Sequence, residues 1–78
     1  MKIEILGPGC ARCKTLDGLV REVAASLDGP MDIEKVEDFA RIAGYGVMST
    51  PGLVIEGTVV CSGRIPSREE VEGWLRSA

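Results

Sequence analysis

No apolar run in this chain approaches the roughly 20 residues that a membrane-spanning helix needs. No hydrophobic stretch of signal-peptide length follows Met1. Basic clusters are missing too: nine Lys and Arg against twelve Asp and Glu leave a net charge of −3, with both signs scattered along the chain. An electrostatic footprint for nucleic acid is therefore lacking, as is a polybasic segment for a membrane surface. Repeats, linkers and low-complexity tracts are absent. Three cysteines is an odd count and a poor basis for a structural disulfide framework. These absences lead us to expect a cytoplasmic protein that binds neither nucleic acid nor membrane. The 78 residues suffice for one small domain, 1–78, and its apolar and charged fractions are those of a globular protein. No spare apolar surface is evident, so a monomer is expected.

What the chain does have is a pair of thiols at a telling place. Gly7-Pro8-Gly9-Cys10-Ala11-Arg12-Cys13-Lys14 follows a short apolar run, Lys2 to Leu6, and precedes a long helical pattern. The cysteines thus fall where a strand ends and a helix begins. A helix start carries unpartnered N–H groups and partial positive charge, which favour thiolate, the reactive form. Arg12 and Lys14 add cationic neighbours. Residues at i and i+3 share a helix face, so Cys10 and Cys13 can switch between dithiol and disulfide. The functional reading makes Cys10 an exposed nucleophile and Cys13, one turn inside, the resolving thiol. Two other readings stand beside it: a buried inert pair, or soft thiolate ligands for zinc or copper(I).

The remaining pattern is that of a small α/β domain. Leu16, Leu19, Val20, Val23, Ala24 and Leu27 form a helical stripe that Asp28-Gly29-Pro30 should end. A second strand is predicted over Met31 to Glu37, with Ile33 and Val36 as core positions. Asp38 should cap a short helix with Phe39, Ile42 and Ala43 inward, stopped by Gly44-Tyr45-Gly46. Gly52 to Glu56 and Thr58 to Ser62 read as a hairpin turning at Glu56-Gly57. That turn pairs Ile55 with Thr58, Val54 with Val59, Leu53 with Val60 and Gly52 with Cys61. Ser67 and Glu70 make a capping box for a last helix that buries Val71, Trp74 and Leu75. The order is β-α-β-α-β-β-α. Its natural closure is a four-stranded mixed sheet with helices on both faces. Phe39, Trp74 and the leucines are most simply core; Arg41, Tyr45 and Arg64 are candidate rim residues.

Two further residues carry alternatives. Thr50-Pro51 either starts an edge strand, where a missing N–H does no harm, or forms a cis bond facing the cysteines. Cys61 is a small apolar filler, or an auxiliary thiol near Pro51 that takes part in mixed disulfides or glutathionylation.

Cys10-Ala11-Arg12-Cys13 after the first strand resembles the active-site motif of the thioredoxin superfamily. Val47-Met48-Ser49-Thr50-Pro51, followed by Leu53-Val54-Ile55, resembles its cis-proline loop and third strand. More narrowly, the chain is similar to small, glutaredoxin-sized redox-active disulfide proteins of archaea and bacteria. It shares with them Gly7-Pro8-Gly9-Cys10, Tyr45-Gly46-Val47-Met48-Ser49-Thr50-Pro51 and Gly63-Arg64-Ile65-Pro66-Ser67. The resemblance spans the whole chain and implies an α/β, thioredoxin-like fold. It also implies a cis Pro51 that, with Thr50, lies against the disulfide, shields Cys13 and shapes a groove in which Thr50 pairs with an extended substrate segment. Glu4, six residues before Cys10, falls where thioredoxins hold a buried carboxylate beneath the disulfide. It is either such a proton relay for Cys13 or a strand residue turned to a wetter edge. The chain departs from the family pattern in having Gly9 before the motif, Ala11-Arg12 inside it, and its only tryptophan, Trp74, in the last helix.

The expected function is a thiol–disulfide oxidoreductase cycling Cys10 and Cys13, without metal or organic cofactor. It would take electrons from a reductase and pass them to disulfide-containing protein substrates in the cytosol. The alternatives are a thiolate metal carrier and a redox-sensing module. Small copper-carrier domains run β-α-β-β-α-β and end on a strand, whereas this chain ends on a capped helix.

Overall fold

The first strand pattern, Lys2 to Leu6, is apolar on both faces apart from Lys2 at its start and Glu4, which suits a strand interior to a sheet. The computed structural model, which describes residues 1–7, 11–27, 31–47 and 49–77, places it there. The elements are β1 (Lys2–Leu6), α1 (Ala11–Ala25), β2 (Asp32–Val36), α2 (Phe39–Gly44), β3 (Gly52–Ile55), β4 (Thr58–Ser62) and α3 (Arg68–Ser77). The sheet order is β2-β1-β3-β4. β1 pairs parallel with β2 and antiparallel with β3, and β3 pairs antiparallel with β4. The mixed four-stranded sheet and the element order are those the sequence predicts.

Alternation along β1 divides the core in two. Ile3 and Ile5 face α1 and α3, and pack with Leu16, Val20, Val23, Leu53, Ile55, Val71 and Leu75. Leu6 faces the other way, toward α2, and packs with Val36, Ile42, Val47 and Val54. Helices therefore cover both faces of the sheet. On edge strand β2, Val36 is buried and Ile33 only half-buried.

α1 ends at Ala25, short of Leu27. Ser26 N–H and Leu27 N–H bond back three residues, to Val23 O (3.1 Å) and Ala24 O (3.2 Å). The Ser26 hydroxyl also takes Val23 O at 2.7 Å, competing with continuation of the helix. Leu27 still packs on the α1–α3 core. The predicted stop signal, Asp28-Gly29-Pro30, lies outside the described residues. The capping box of α3 forms as expected: Glu70 N–H donates to Ser67 Oγ (3.1 Å), and Ser67 N–H donates to Glu70 Oε1 (3.0 Å).

The structure corrects the expectations for α2 and for the hairpin. Phe39 is 69% exposed and Ala43 is exposed too; of the three predicted inward residues in α2, only Ile42 is buried. Asp38 does cap the helix, accepting from Ala40 N–H at 2.9 Å. The helix is rolled so that Arg41, Ile42 and Tyr45 face the sheet, Arg41 and Tyr45 being drawn to Glu4. At roughly 100° per residue, that roll carries Phe39 and Ala43 to the far flank.

The hairpin pairing also differs. Ile55 opposes Thr58 and Val54 opposes Val59, as the turn predicts, but Leu53 then opposes Cys61 and Gly52 opposes Ser62. A bulge leaves Val60 as the extra residue on β4. It puts Val60 and Cys61 on the α1–α3 side while Val59 stays on the α2 side. Apolar residues run from Val59 through Cys61, so period 2 alone could not show where alternation breaks.

Candidate functional site

β1 ends, β3 begins and β4 ends at the same end of the sheet, where Leu6 opposes Gly52 and Gly52 opposes Ser62. Two hydrogen bonds carry the ladders one step further: Gly7 N–H to Val36 O and Gly63 N–H to Pro51 O, both 2.9 Å. The first turn of α1 lies over this end and brings Ala11, Arg12 and Cys13 to it.

Cys13 is 1% exposed. Its thiol rests on the backbone of Gly7: a Cβ at Gly7 would overlap Cys13 Sγ, stand 3.1 Å from Cys13 Cβ and 3.8 Å from Thr50 Cβ. Gly7 therefore seats the inner thiol and Thr50 side by side, and any other residue would displace the sulfur. The Thr50–Pro51 peptide is cis, with Pro51 fully buried and Thr50 half-buried. Cys10, one residue before α1, lies outside the described residues, as do Pro8, Gly9 and Met48.

The loop after β4 closes the other side. Gly63 has φ +75°, and a Cβ there would stand 3.0 Å from Ser49 Cβ, so only glycine fits against the proline loop. Arg12, exposed on α1, donates from Nη2 to Gly63 O at 3.2 Å. Cys13, Thr50, Pro51, Ala11 and Arg12, all predicted site residues, thus converge on one rim.

Glu4 and Cys61 go elsewhere. Glu4 is buried, not turned to a wet edge, because β1 is an interior strand covered by α2 on that side. The Tyr45 hydroxyl lies 2.9 and 2.8 Å from its two oxygens, and Arg41 Nη2 is 3.5 Å away. Hydrogen bonding to Glu4, then burial, pushes the Tyr45 hydroxyl pKa above its ordinary value. Arg41 also bonds Glu34 at 3.0 Å, which lowers the Glu34 pKa and raises that of Arg41. Tyr45 and Arg41, expected at the rim, serve this buried carboxylate instead.

Cys61 is 7% exposed and belongs to the α1–α3 core; its Sγ lies 3.6 Å from Arg64 O. The bulge sets it opposite Leu53 rather than Gly52, one residue further from Pro51 than the unbulged register predicts. Arg64 is also turned from the rim: it holds both oxygens of Glu70, at 3.0 and 2.8 Å. With the Ser67 N–H, this guanidinium lowers the Glu70 carboxyl from 4.5 to about 2.

A family model described as a thioredoxin domain matches residues 1–76. A thioredoxin of Methanothermobacter thermautotrophicus is 36% identical over 75 residues, covering 96% of this chain and 97% of that protein. The chain belongs to the thioredoxin family. A thioredoxin of Methanocaldococcus jannaschii is likewise 36% identical over 75 residues, covering 96% of this chain and 86% of the relative. Kinship with thioredoxins places the chain, broadly, among thiol–disulfide oxidoreductases. The structure brings the predicted Cys13 and Thr-Pro loop together and adds two contacts that the sequence did not announce. Gly7 was legible as a turn residue, and only its place at the strand end hints at close approach to a thiol. The Arg12–Gly63 bridge joins residues 51 apart and left no sequence signal.

Proposed function

We propose that this protein reduces disulfide bonds of other proteins in the cytosol through Cys10 and Cys13. The observation that carries the reading is the seat of Cys13: buried, in the first turn of α1, against Gly7 and beside Thr50 and cis Pro51. A thiol so placed is sheltered from a bulky partner, which suits the resolving role. Cys10, three residues earlier, then takes the attacking role. The helix start and Arg12 favour thiolate at the pair.

In the proposed cycle the Cys10 thiolate attacks one sulfur of a substrate disulfide. A Cys10–substrate bond forms, the substrate S–S bond breaks, and the leaving sulfur takes a proton. The Cys13 thiolate then attacks Cys10 Sγ, forming the Cys10–Cys13 disulfide and releasing the second substrate sulfur, which is protonated in turn. Two electrons have passed to the substrate, and a dithiol-bearing reductase returns them by the reverse exchange. Thr50 and Pro51 shape the groove for an extended substrate segment. The working unit is the monomeric domain 1–78, with no organic cofactor.

The test is a pair of serine variants with mass readout after alkylation. Cys10→Ser should abolish exchange with a protein disulfide, whereas Cys13→Ser should accumulate a trapped mixed disulfide. In thiol–disulfide buffers the unaltered protein should show one reversible two-electron midpoint mapping to Cys10 and Cys13. The opposite variant pattern would overturn the assignment of roles; failure of the pair to oxidise reversibly would overturn the function.

A further inference from the structure

The chain is acidic overall, at −3, yet its thiol-bearing rim carries a cation with no acidic partner among the described residues. Lys2, Arg21, Arg41, Arg64 and Arg68 each have a carboxylate within 4 Å. Among the described residues Arg12 has none, as is also true of Lys14, Lys35 and Arg76; what sets Arg12 apart is where its guanidinium is held. Its guanidinium instead reaches across the mouth to a neutral carbonyl, Gly63 O, at 3.2 Å, and stays exposed. That carbonyl is held firmly, because Gly63 N–H is bonded to Pro51 O and Gly63 abuts Ser49. Arg12 is therefore aimed at the space between the start of α1 and the Thr50–Pro51 loop.

The nearby acids do not compete for it. Glu37 and Asp38 follow β2, at the opposite edge of the sheet from β4. The Asp38 carboxylate is occupied by the N-cap of α2. A segment lying along Thr50–Pro51 would thus meet positive charge on the β4 side. A carbonyl is a weak partner for a guanidinium; a carboxylate offers two oxygens matched to its fork and an opposite charge.

We propose that Arg12 is a specificity-determining residue that selects protein disulfides with Asp or Glu beside the reacting cysteine. The inference rests on the oxidoreductase function proposed above. On docking, the guanidinium leaves Gly63 O and pairs with the substrate carboxylate, while the disulfide sulfur faces the thiols that flank Arg12 in sequence.

The experiment uses three disulfide-bonded peptides identical except for the two residues flanking the target cysteine: both Asp, both Asn or both Lys. Dithiothreitol supplies electrons, with its direct reduction of each peptide subtracted. For the unaltered protein, kcat/KM should fall in the order Asp, Asn, Lys, with about a fivefold spread at low salt that shrinks at high salt. Within Arg12→Gln the three values should converge; within Arg12→Lys the order should persist with a smaller spread. Ratios within one variant cancel any general change in thiol reactivity. Equal rates for the three peptides, or an unchanged Asp-to-Lys ratio in Arg12→Gln, would overturn this inference alone. If no peptide were reduced, the oxidoreductase function would fall and this inference with it.

Discussion

On one side of the sheet, α1 and α3 cover Ile3, Ile5, Leu53 and Ile55 with apolar side chains. On the other, the single short helix α2 covers Leu6, Val36 and Val54 together with the carboxylate of Glu4. The first face is held by area: a continuous stripe on a fifteen-residue helix meets a second stripe on a capped one. The second is held partly by direction. A buried carboxylate is costly without partners, so α2 turns Arg41 and Tyr45 inward to supply them and leaves Phe39 outside. The contrast shows one buried charge deciding how a six-residue helix sits, where a long apolar stripe decides for a fifteen-residue one.

Truncation on the apolar face should have the largest effect. Leu16 is wholly buried between α1 and the sheet. Leu16→Ala should cost about 2–5 kcal/mol in a denaturant titration. Stability typically runs at roughly 0.05–0.15 kcal/mol per residue, so that loss is a large part of the total for a chain this short. If the apolar face were no more important than the other, Ile42→Ala on α2 would cost as much; we expect it near the low end of the same range.

Removing a polar partner tests the other face. Tyr45→Phe keeps the ring but takes the hydroxyl from Glu4, leaving a buried carboxylate with Arg41 alone. The expected loss is about 1–3 kcal/mol. Glu4→Gln should recover part of that loss in the Tyr45→Phe background, because a neutral amide is less costly to bury than a charge. If Tyr45→Phe were neutral, the claim that Glu4 orients α2 would fail. Phe39→Ser marks the other side of the same helix: at 69% exposure it should change stability by less than about 0.5 kcal/mol.

The same division governs what could be read from the sequence. On the apolar face, periodicity named Leu16, Val20, Val23, Val71 and Leu75 correctly, because a stripe repeated over several turns has one orientation that buries it. On the α2 face, four apolar residues in six positions, Phe39, Ala40, Ile42 and Ala43, fit more than one roll. The deciding contact, Glu4 with Tyr45, spans 41 residues. The β4 bulge escaped for a related reason, since Val59, Val60 and Cys61 are apolar in succession and carry no alternation to break. At the site, Cys13 and Thr50–Pro51 were legible because motif and element order fix where a strand ends. Gly7 beneath the thiol and Arg12 on Gly63 were not, because each is a tertiary contact of a side chain with a glycine backbone.

The smallest expected effect contrasts two carboxylates. Glu4 ties a helix to the sheet from within, whereas Glu70 acts at the surface, closing the cap of α3 and receiving Arg64. The Glu70 carboxyl is lowered from 4.5 to about 2, first by Arg64 and then by the Ser67 N–H. A carboxyl with a depressed folded-state pKa adds stability that is fully present above its unfolded value and lost as pH falls through the folded one. Glu70→Gln keeps a cap acceptor but removes the charge, so the stability gap between the parent and this variant isolates the ionised form. Thermal melts should show a small gap that is constant above about pH 4.5 and closes as pH falls toward about 2. Raising salt should narrow it at neutral pH, since the pair lies in solvent. A gap independent of pH would mean that the cap works through hydrogen bonding alone and that Arg64 adds nothing as a charge. Tyr45→Phe in the same melts should keep its deficit at high salt, because the carboxylate it leaves short of a partner, Glu4, is buried.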